Sequence, residues 1–220
     1  MKIITTADGS SSIYVEELDE HYHSIHGAVQ ESEHIFIKSG LWADNLQSLD
    51  TISVLEVGFG TGLNALLTCF STTKTQKICY TAIEPYPLSN NELQQLNYGN
   101  ILPYPQADTV FSLLHSAEWE KQVPITEHFS LCKHKISALE MSFPQNTFHL
   151  VYFDAFSPES QPELWTSTLF EKIYNSMKIN SILVTYSAKG TVKRALQEVG
   201  FCTEKLPGPV GKREILRGKK

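Results

Sequence analysis

Short apolar runs recur along the chain, and amphipathic stretches with helical spacing separate them. Ile52 to Val57 reads as a first strand, followed at once by a helix from Leu63 to about Ser71. Ile78 to Ile83 predicts a second strand ending at Glu84. Ser89 or Asn90 can cap a helix within Pro87 to Tyr98, with Leu93 and Leu96 on one face. In 101–125, Leu113, Leu114 and Trp119 point to a helix near the core. Phe129 to Cys132 reads as a third strand, and Ile136 to Met141 as a short helix or turn. His149 to Phe153 predicts a fourth strand ending at Asp154. Pro162 to Met177 carries Leu164, Trp165, Leu169, Phe170 and Ile173 at helical spacing. Ser181 to Tyr186 predicts a fifth strand. Thr191 to Val199 predicts a helix closed by Gly200. Phe201 to Leu206 and Glu214 to Arg217 form an antiparallel hairpin around Pro207–Gly211. Residues 1–48 read as partly helical or hairpin-like, with Ile35-Phe36-Ile37 as a short strand.

Strands alternating with helices imply an α/β fold, a mostly parallel sheet covered on both faces. The hairpin adds an antiparallel strand at its C-terminal end. The expected division is an N-terminal extension, 1–48, and one domain, 49–220. Ligands of such sheets sit at the carboxyl ends of the strands. Glu56, Glu84, Asp154 and Tyr186 or Ser187 each close a predicted strand and are expected to meet in one cleft.

The first strand-to-helix junction, Glu56-Val57-Gly58-Phe59-Gly60-Thr61-Gly62, carries the most chemistry. Its glycines permit a sharp turn and close approach of a ligand, and the helix start that follows offers free N–H groups. The spacing is not the G-x-G-x-x-G of dinucleotide sites. An acid at Glu56 repels a pyrophosphate and suits a cationic, amine-bearing ligand, which points to S-adenosylmethionine. Glu84, 22 residues past Gly62, is placed to accept hydrogen bonds from ribose hydroxyls. Asp154-Ala155-Phe156-Ser157-Pro158 closes the strand expected beside the first. A carboxylate there can hold an acceptor amine and take its proton, since an alkyl amine is mostly protonated near neutrality, with a pKa of about 10. Phe156 offers a face for stacking on a base or the cofactor.

Composition narrows the classes. The chain has 220 residues, 41% hydrophobic, with a net charge of −6, and no apolar run long enough to span a membrane. The N-terminus lacks the apolar segment of a signal peptide, and four scattered cysteines suit free, buried thiols in a reducing cytoplasm. His21, His23 and His26 cluster without cysteines or paired acids, so no metal is expected. The charge is uneven. From Lys189 to Lys220 nine Lys and Arg stand against three Glu. That suits either a phosphate-binding edge or a solvated terminus.

With these residues in view, the chain resembles the MnmC/MnmD-type tRNA 5-methylaminomethyl-2-thiouridine methyltransferases. The resemblance rests on Gly58-Phe59-Gly60-Thr61-Gly62-Leu63-Asn64 and on the Asp154 to Pro158 block followed by Pro162, Trp165 and Phe170. It continues in Thr185-Tyr186-Ser187-Ala188, Val192 to Leu196, Gly200-Phe201 and Gly211-Lys212-Arg213-Glu214. Tyr22-His23-Ser24, Gly27-Ala28, Glu31-Ser32 and His34 to Ile37 are similar upstream. The resemblance implies a class-I, Rossmann-like fold and methyl transfer from S-adenosylmethionine to the primary amine of 5-aminomethyl-2-thiouridine in tRNA. It implies Asp154 and Phe156 as active-site residues, and Glu56, Gly58, Gly60, Gly62, Asn64 and Glu84 around the cofactor. It gives Lys193, Arg194, Lys212 and Arg213 a reading as tRNA phosphate contacts. It allows a separate FAD-dependent oxidase as partner, for which this chain has no room. One departure stands out. His134-Lys135 occupies the place where relatives carry Gly-Asp, whose acid contacts adenine, so adenine is expected to be held otherwise. Two other classes fit the residues: a methyl- or aminopropyltransferase of small free amines, and a non-catalytic RNA-binding protein on the same fold.

Overall fold

The structure, a computed structural model, describes residues 1–72 and 75–220. An eight-stranded sheet forms its centre, in the order β10-β11-β9-β8-β4-β5-β7-β6. The strands are β4 (Thr51–Val57), β5 (Lys77–Ile83), β6 (Gln122–Pro124), β7 (Phe129–His134), β8 (Phe148–Phe153), β9 (Met177–Thr185), β10 (Cys202–Pro207) and β11 (Glu214–Lys219). The five strands β9, β8, β4, β5 and β7 run parallel. The β10–β11 hairpin adds antiparallel strands at one edge, and short β6 at the other. This is the mixed, mostly parallel α/β sheet with a C-terminal antiparallel hairpin that the alternating pattern predicts.

Side-chain alternation divides the core into two layers. Ile52 and Val54 of β4, Tyr80 of β5 and Tyr152 of β8 face one layer, with α3 (Leu63–Phe70) and α6 (Ala107–Ser116). Leu55, Val57, Phe153 and Leu183 face the other, with α7 (Ser167–Ser176) and α8 (Gly190–Glu198). The long helix expected over Pro87 to Tyr98 is instead two short ones, α4 (Asn90–Leu93) and α5 (Tyr98–Ile101). Ser89 caps α4 in a reciprocal box with Glu92. The helix expected from Pro162 starts as a 3₁₀ turn, Pro162–Leu164, and becomes α-helical at Ser167, behind the Thr166 cap.

The N-terminal residues form a separate three-stranded meander, β1 (Lys2–Thr5), β2 (Ser11–Val15) and β3 (Glu20–His21). Helix α1 (Ala28–Ser32) follows and continues as a π-wound segment, Glu33–Leu41, before α2 (Asp44–Gln47). Ile35-Phe36-Ile37, expected as a strand, lies inside that wide helix. Three successive apolar residues fit either period. Here Ile35, Phe36, Ile37 and Leu41 all join the core beneath the sheet, and the close approach of Gly40 to Tyr152 and Val184 admits the helix. Residues 1–48 thus share the core that Ile52 and Val54 build.

Candidate active site

A cavity of about 570 Å³ lies at the carboxyl ends of the parallel strands. Its position follows from register. Val57 pairs with Ile83 on one side and with Phe153 on the other. The next residues, Gly58, Glu84 and Asp154, therefore stand in one row, and all three line the cavity together with Tyr186 beyond β9. Glu56 was expected in that row. Strand β4 ends at Val57, as its apolar run predicts, so Glu56 is its penultimate residue and lies a step below the row, fully buried and outside the cavity lining.

The glycine loop is held by contacts that fix its backbone. Gly58 has φ +92°, and a β-carbon there would meet the Asp154 carbonyl oxygen at 2.5 Å. Gly62 takes the left-handed conformation that starts α3. It packs on Phe59 and His115 and does not line the cavity, unlike Gly58 and Gly60. Gly60 lies against the Tyr22 ring. The residues between the glycines are anchors. Thr61 Oγ1 is 2.7 Å from His23 Nε2, and the Thr61 carbonyl accepts from His115 Nε2 at 3.1 Å. Burial pushes both imidazoles down to about 4, so both are neutral near neutrality. The Phe59 ring packs edge-on to His115. Lys133 lies below, donating to the His115 carbonyl at 2.7 Å and facing the Trp119 ring, with its amine pushed down to about 8 by burial.

The carboxylates differ in their settings. Glu84 accepts from the backbone N–H of Gly60 and of Tyr86, both at 2.9 Å, which fixes its plane at the cavity wall. Burial raises it despite those donors. Asn64 donates one amide hydrogen to Glu56 Oε1 at 3.0 Å and the other to Asp154 Oδ2 at 2.8 Å. Burial raises Glu56 well above the usual carboxylate range. Asp154 is pushed up to about 7, chiefly by burial; Asn64 opposes this, Glu31 adds to it and Lys212 opposes it. A carboxylate that titrates near neutrality and lines a cavity is suited to exchange a proton with a ligand.

The Asp154–Pro158 loop is pinned along its length. The Ala155 carbonyl accepts from Tyr186 Oη at 2.9 Å, and the Phe156 carbonyl from the Trp165 indole at 2.8 Å. The Phe156 N–H donates to Gln161 Oε1 at 3.1 Å. Ser157 and Ser160 hydroxyls both donate to Glu20 of β3. The Phe156 ring meets Tyr22 edge-on at 5.0 Å. Tyr22, His23 and Glu31 bring the N-terminal segment over the cavity, and Lys212 reaches it from the β10–β11 loop. Phe156 and Tyr186 were expected here; Tyr22, His23 and Glu31 were noted only as part of a family resemblance and Lys212 only as a phosphate contact, so none of these four was expected in the cavity wall.

Other expected positions divide. Lys193 and Arg213 are at the surface, and Arg194 is exposed on α8. Lys212 is not a free surface cation: it pairs with Glu31 at 3.2 Å because the hairpin loop folds back on the N-terminal segment, with Gly211 against His26. His134 and Lys135 do not enter the cavity; Glu120 takes the His134 ring at 2.5 Å and the Lys135 N–H at 2.9 Å. The three clustered histidines go three ways: His23 to Thr61, His21 against Tyr14 and His26 to the hairpin loop. Among the described residues no group of three His, Cys, Asp or Glu side chains is placed to hold a metal. The cysteines are unpaired, but Cys79 and Cys202 are exposed rather than buried.

Six acidic side chains, Asp19, Glu20, Glu31, Glu84, Asp154 and Glu163, line the cavity against one basic, Lys212, among the described residues. Such a field disfavours the pyrophosphate of a dinucleotide and favours a cation. Residues 104–220 match the family described as S-adenosyl-L-methionine-dependent methyltransferase. The chain belongs to that family. Its cofactor is S-adenosyl-L-methionine, which fits a bare glycine turn, a fixed carboxylate at Glu84 and an acidic cavity. The chain is also similar to the protein named tRNA 5-methylaminomethyl-2-thiouridine biosynthesis bifunctional protein MnmC. The Burkholderia thailandensis protein is 26% identical over 90% of this chain and 32% of its own length. That of Actinobacillus pleuropneumoniae is 28% identical over 93% of this chain and 33% of its own. The chain thus spans about a third of these relatives (32–33%). Among solved structures, MNMC2 from Aquifex aeolicus superposes with a TM-score of 0.80 at 25% identity, covering 99% of this chain and 69% of that one. Spermidine synthase from Thermotoga maritima, at 13% identity and a TM-score of 0.57 over 96% of this chain and 69% of its own, shares the fold. No helix among the described residues is long and apolar enough to cross a membrane.

Proposed function

We propose that this methyltransferase converts 5-aminomethyl-2-thiouridine at the tRNA wobble position to 5-methylaminomethyl-2-thiouridine. The observation that carries the reading is Asp154, a cavity-lining carboxylate with a near-neutral pKa, fixed by Asn64 and set among other acids. That is a site for an amine that arrives charged and must lose a proton. The name of the relatives supplies the amine: the methylaminomethyl group of 5-methylaminomethyl-2-thiouridine in tRNA. When bound, S-adenosyl-L-methionine supplies an electrophilic methyl group on sulfur. Gly58 and Gly60 would give it close backbone approach, Glu84 would accept from its ribose, and Glu56 would act from below by holding Asn64. Asp154 orients the acceptor nitrogen and takes the proton it releases. Phe156 packs on the base or the cofactor. Lys193, Arg194 and Arg213 take tRNA phosphates.

Residues 49–220 are taken as the methyltransferase domain and residues 1–48 as an extension that closes its cavity. The reading places the enzyme in the cytoplasm with its tRNA and allows an FAD-dependent oxidase as a partner. The acidic cavity also suits a free polyamine, the second reading. Mass analysis of wobble nucleosides decides between them. Incubation with hypomodified tRNA and cofactor is expected to add one methyl group to the aminomethyl uridine. Methylation or aminopropylation of a free polyamine, with the tRNA unchanged, would establish the second reading instead.

A further inference from the structure

The acceptor end of the cavity holds a second carboxylate that the proposed reaction leaves idle. Glu31 of α1 is only 7% exposed, yet it lines the cavity. Its Oε2 accepts the Ser24 N–H at 2.7 Å. Its Oε1 is buried and makes no aligned hydrogen bond; the Lys212 ammonium stands beside it at 3.2 Å. Taking a carboxylate out of water is costly even when it is paired, and an apolar side chain would fill the same space without that cost. Lys212 reaches this point from the far end of the chain, with its ammonium 4.5 Å from the centre of the Tyr186 ring. Tyr186 in turn holds the carbonyl of Ala155, next to Asp154. Both Glu31 and Lys212 act on Asp154 electrostatically. At Asp154, Asn64 engages Oδ2, and no hydrogen bond among the described residues engages Oδ1.

We propose that Glu31 and Asp154 together bind the acceptor as an ammonium ion, and that Lys212 fills the ammonium position in the substrate-free protein. The inference rests on the reading of the acceptor as an amine. An alkyl ammonium carries three donors and can serve both carboxylates at once. Its charge replaces that of Lys212, so the cavity never holds Glu31 uncompensated. Glu31 then selects for a primary amine, and Lys212 competes with it.

The test is steady-state methyl transfer to tRNA bearing 5-aminomethyl wobble uridine, with tRNA lacking the aminomethyl group as competitive inhibitor. Glutamine in Glu31→Gln can still accept from Ser24. The variant is expected to raise KM for the amine-bearing tRNA by about tenfold or more, the loss of one charged hydrogen bond, with kcat little changed. The inhibition constant of the amine-free tRNA should stay at the wild-type value. Lys212→Met is expected to lower KM for the amine-bearing tRNA. An unchanged KM in Glu31→Gln, or an equal weakening of both tRNAs, would make Glu31 a structural residue and overturn the assignment. A raised KM in Lys212→Met would make Lys212 a substrate contact and overturn the stand-in role. If the wild-type protein methylates no amine-bearing tRNA, the amine reading itself falls. Transfer by the wild type with an indifferent Glu31→Gln removes only the Glu31 assignment.

Discussion

The two sides of the cavity are assembled in opposite ways. The side proposed for the cofactor is built from one stretch of chain, the turn from β4 into α3, with Glu84 from the end of the adjacent strand. Its geometry is dictated by glycine backbone and by amide bonds to a fixed carboxylate. The side proposed for the acceptor is built from Tyr22, His23 and Glu31 near the start of the chain, Asp154 and Phe156 in the middle, and Lys212 near the end. The first side can be altered only by disturbing the backbone. The second can be altered one side chain at a time. If that contrast is right, variants on the two sides will separate into those that lose the cofactor and those that keep it.

The largest effect is expected at Gly58. A β-carbon there would lie 2.5 Å from the Asp154 carbonyl oxygen, at φ +92°, so Gly58→Val must displace either the loop or the end of β8. Positive φ in a β-branched residue adds about 1–3 kcal/mol of strain to that clash. The expected outcome is loss of calorimetric cofactor binding, loss of methyl transfer and a lowered melting temperature. A variant that binds cofactor normally would show that the loop is soft and the contrast unfounded.

Asp154→Asn comes next and breaks the other side. It is expected to reduce methyl transfer by about 10²-fold or more, the usual worth of a positioned base, while cofactor affinity changes little. The wild-type rate should fall as pH drops below about 7, where Asp154 takes up its proton, and the variant should lack that limb. Stability moves the other way. The folded value lies above the unfolded one, so the protein is most stable with Asp154 protonated and loses that stability as pH rises from about 4 to about 7. Asp154→Asn should therefore melt above the wild type at pH 8 and close to it near pH 4. A wild-type melting advantage at pH 8 would contradict the burial argument.

These two residues also mark how far the sequence could be read. The sheet, its parallel order and its closing hairpin follow from apolar runs and their punctuation. Gly58, Glu84 and Asp154 follow from standing just past three of those runs. Register was harder: Glu56 stands one residue before the end of β4, at Val57, which puts it in the core and not in the row of strand ends. The short run Ile35-Phe36-Ile37 suited two periods, and only its packing on the sheet through Gly40 decides for a helix. Glu31, His23 and Lys212 stand in segments that resemble the family, but nothing local says that they share one cavity. Their place in the cavity depends on distant segments that meet only in the fold, and a basic run suggests a surface for Lys212 where an ion pair holds it inside.

A smaller effect is expected at Glu84. Glu84→Gln keeps the size but sets an amide NH₂ against one of two backbone N–H donors, those of Gly60 and Tyr86. Loss of one such bond is worth about 1–3 kcal/mol, so cofactor affinity should fall about tenfold or somewhat more. KM for tRNA measured at saturating cofactor should not move. A change in tRNA KM with cofactor affinity intact would blur the boundary between the two sides.

The smallest effect lies outside the cavity, at the basic edge that the charge distribution marks. Most cations of that run are engaged: Lys205 with Glu214, Arg217 and Lys219 with Glu204, Lys189 with Glu159, and Lys220 with the carbonyls of Tyr174 and Met177. Among the described residues Arg194 and Arg213 form no ion pair and are exposed, which leaves their charges available to a phosphate. A phosphate contact releases counterions, so each one contributes about 0.7–0.9 to the slope of log K against log salt. Arg194→Gln and Arg213→Gln should each lower that slope by about one phosphate's share and weaken tRNA binding modestly. The loss should be the same for amine-bearing and amine-free tRNA, because neither arginine reaches the cavity, and cofactor affinity should stay at its wild-type value. Filter binding across a salt series reads the slope directly. An unchanged slope in both variants would move the tRNA backbone off this edge, leaving the acid-lined cavity as the part of the surface that carries recognition.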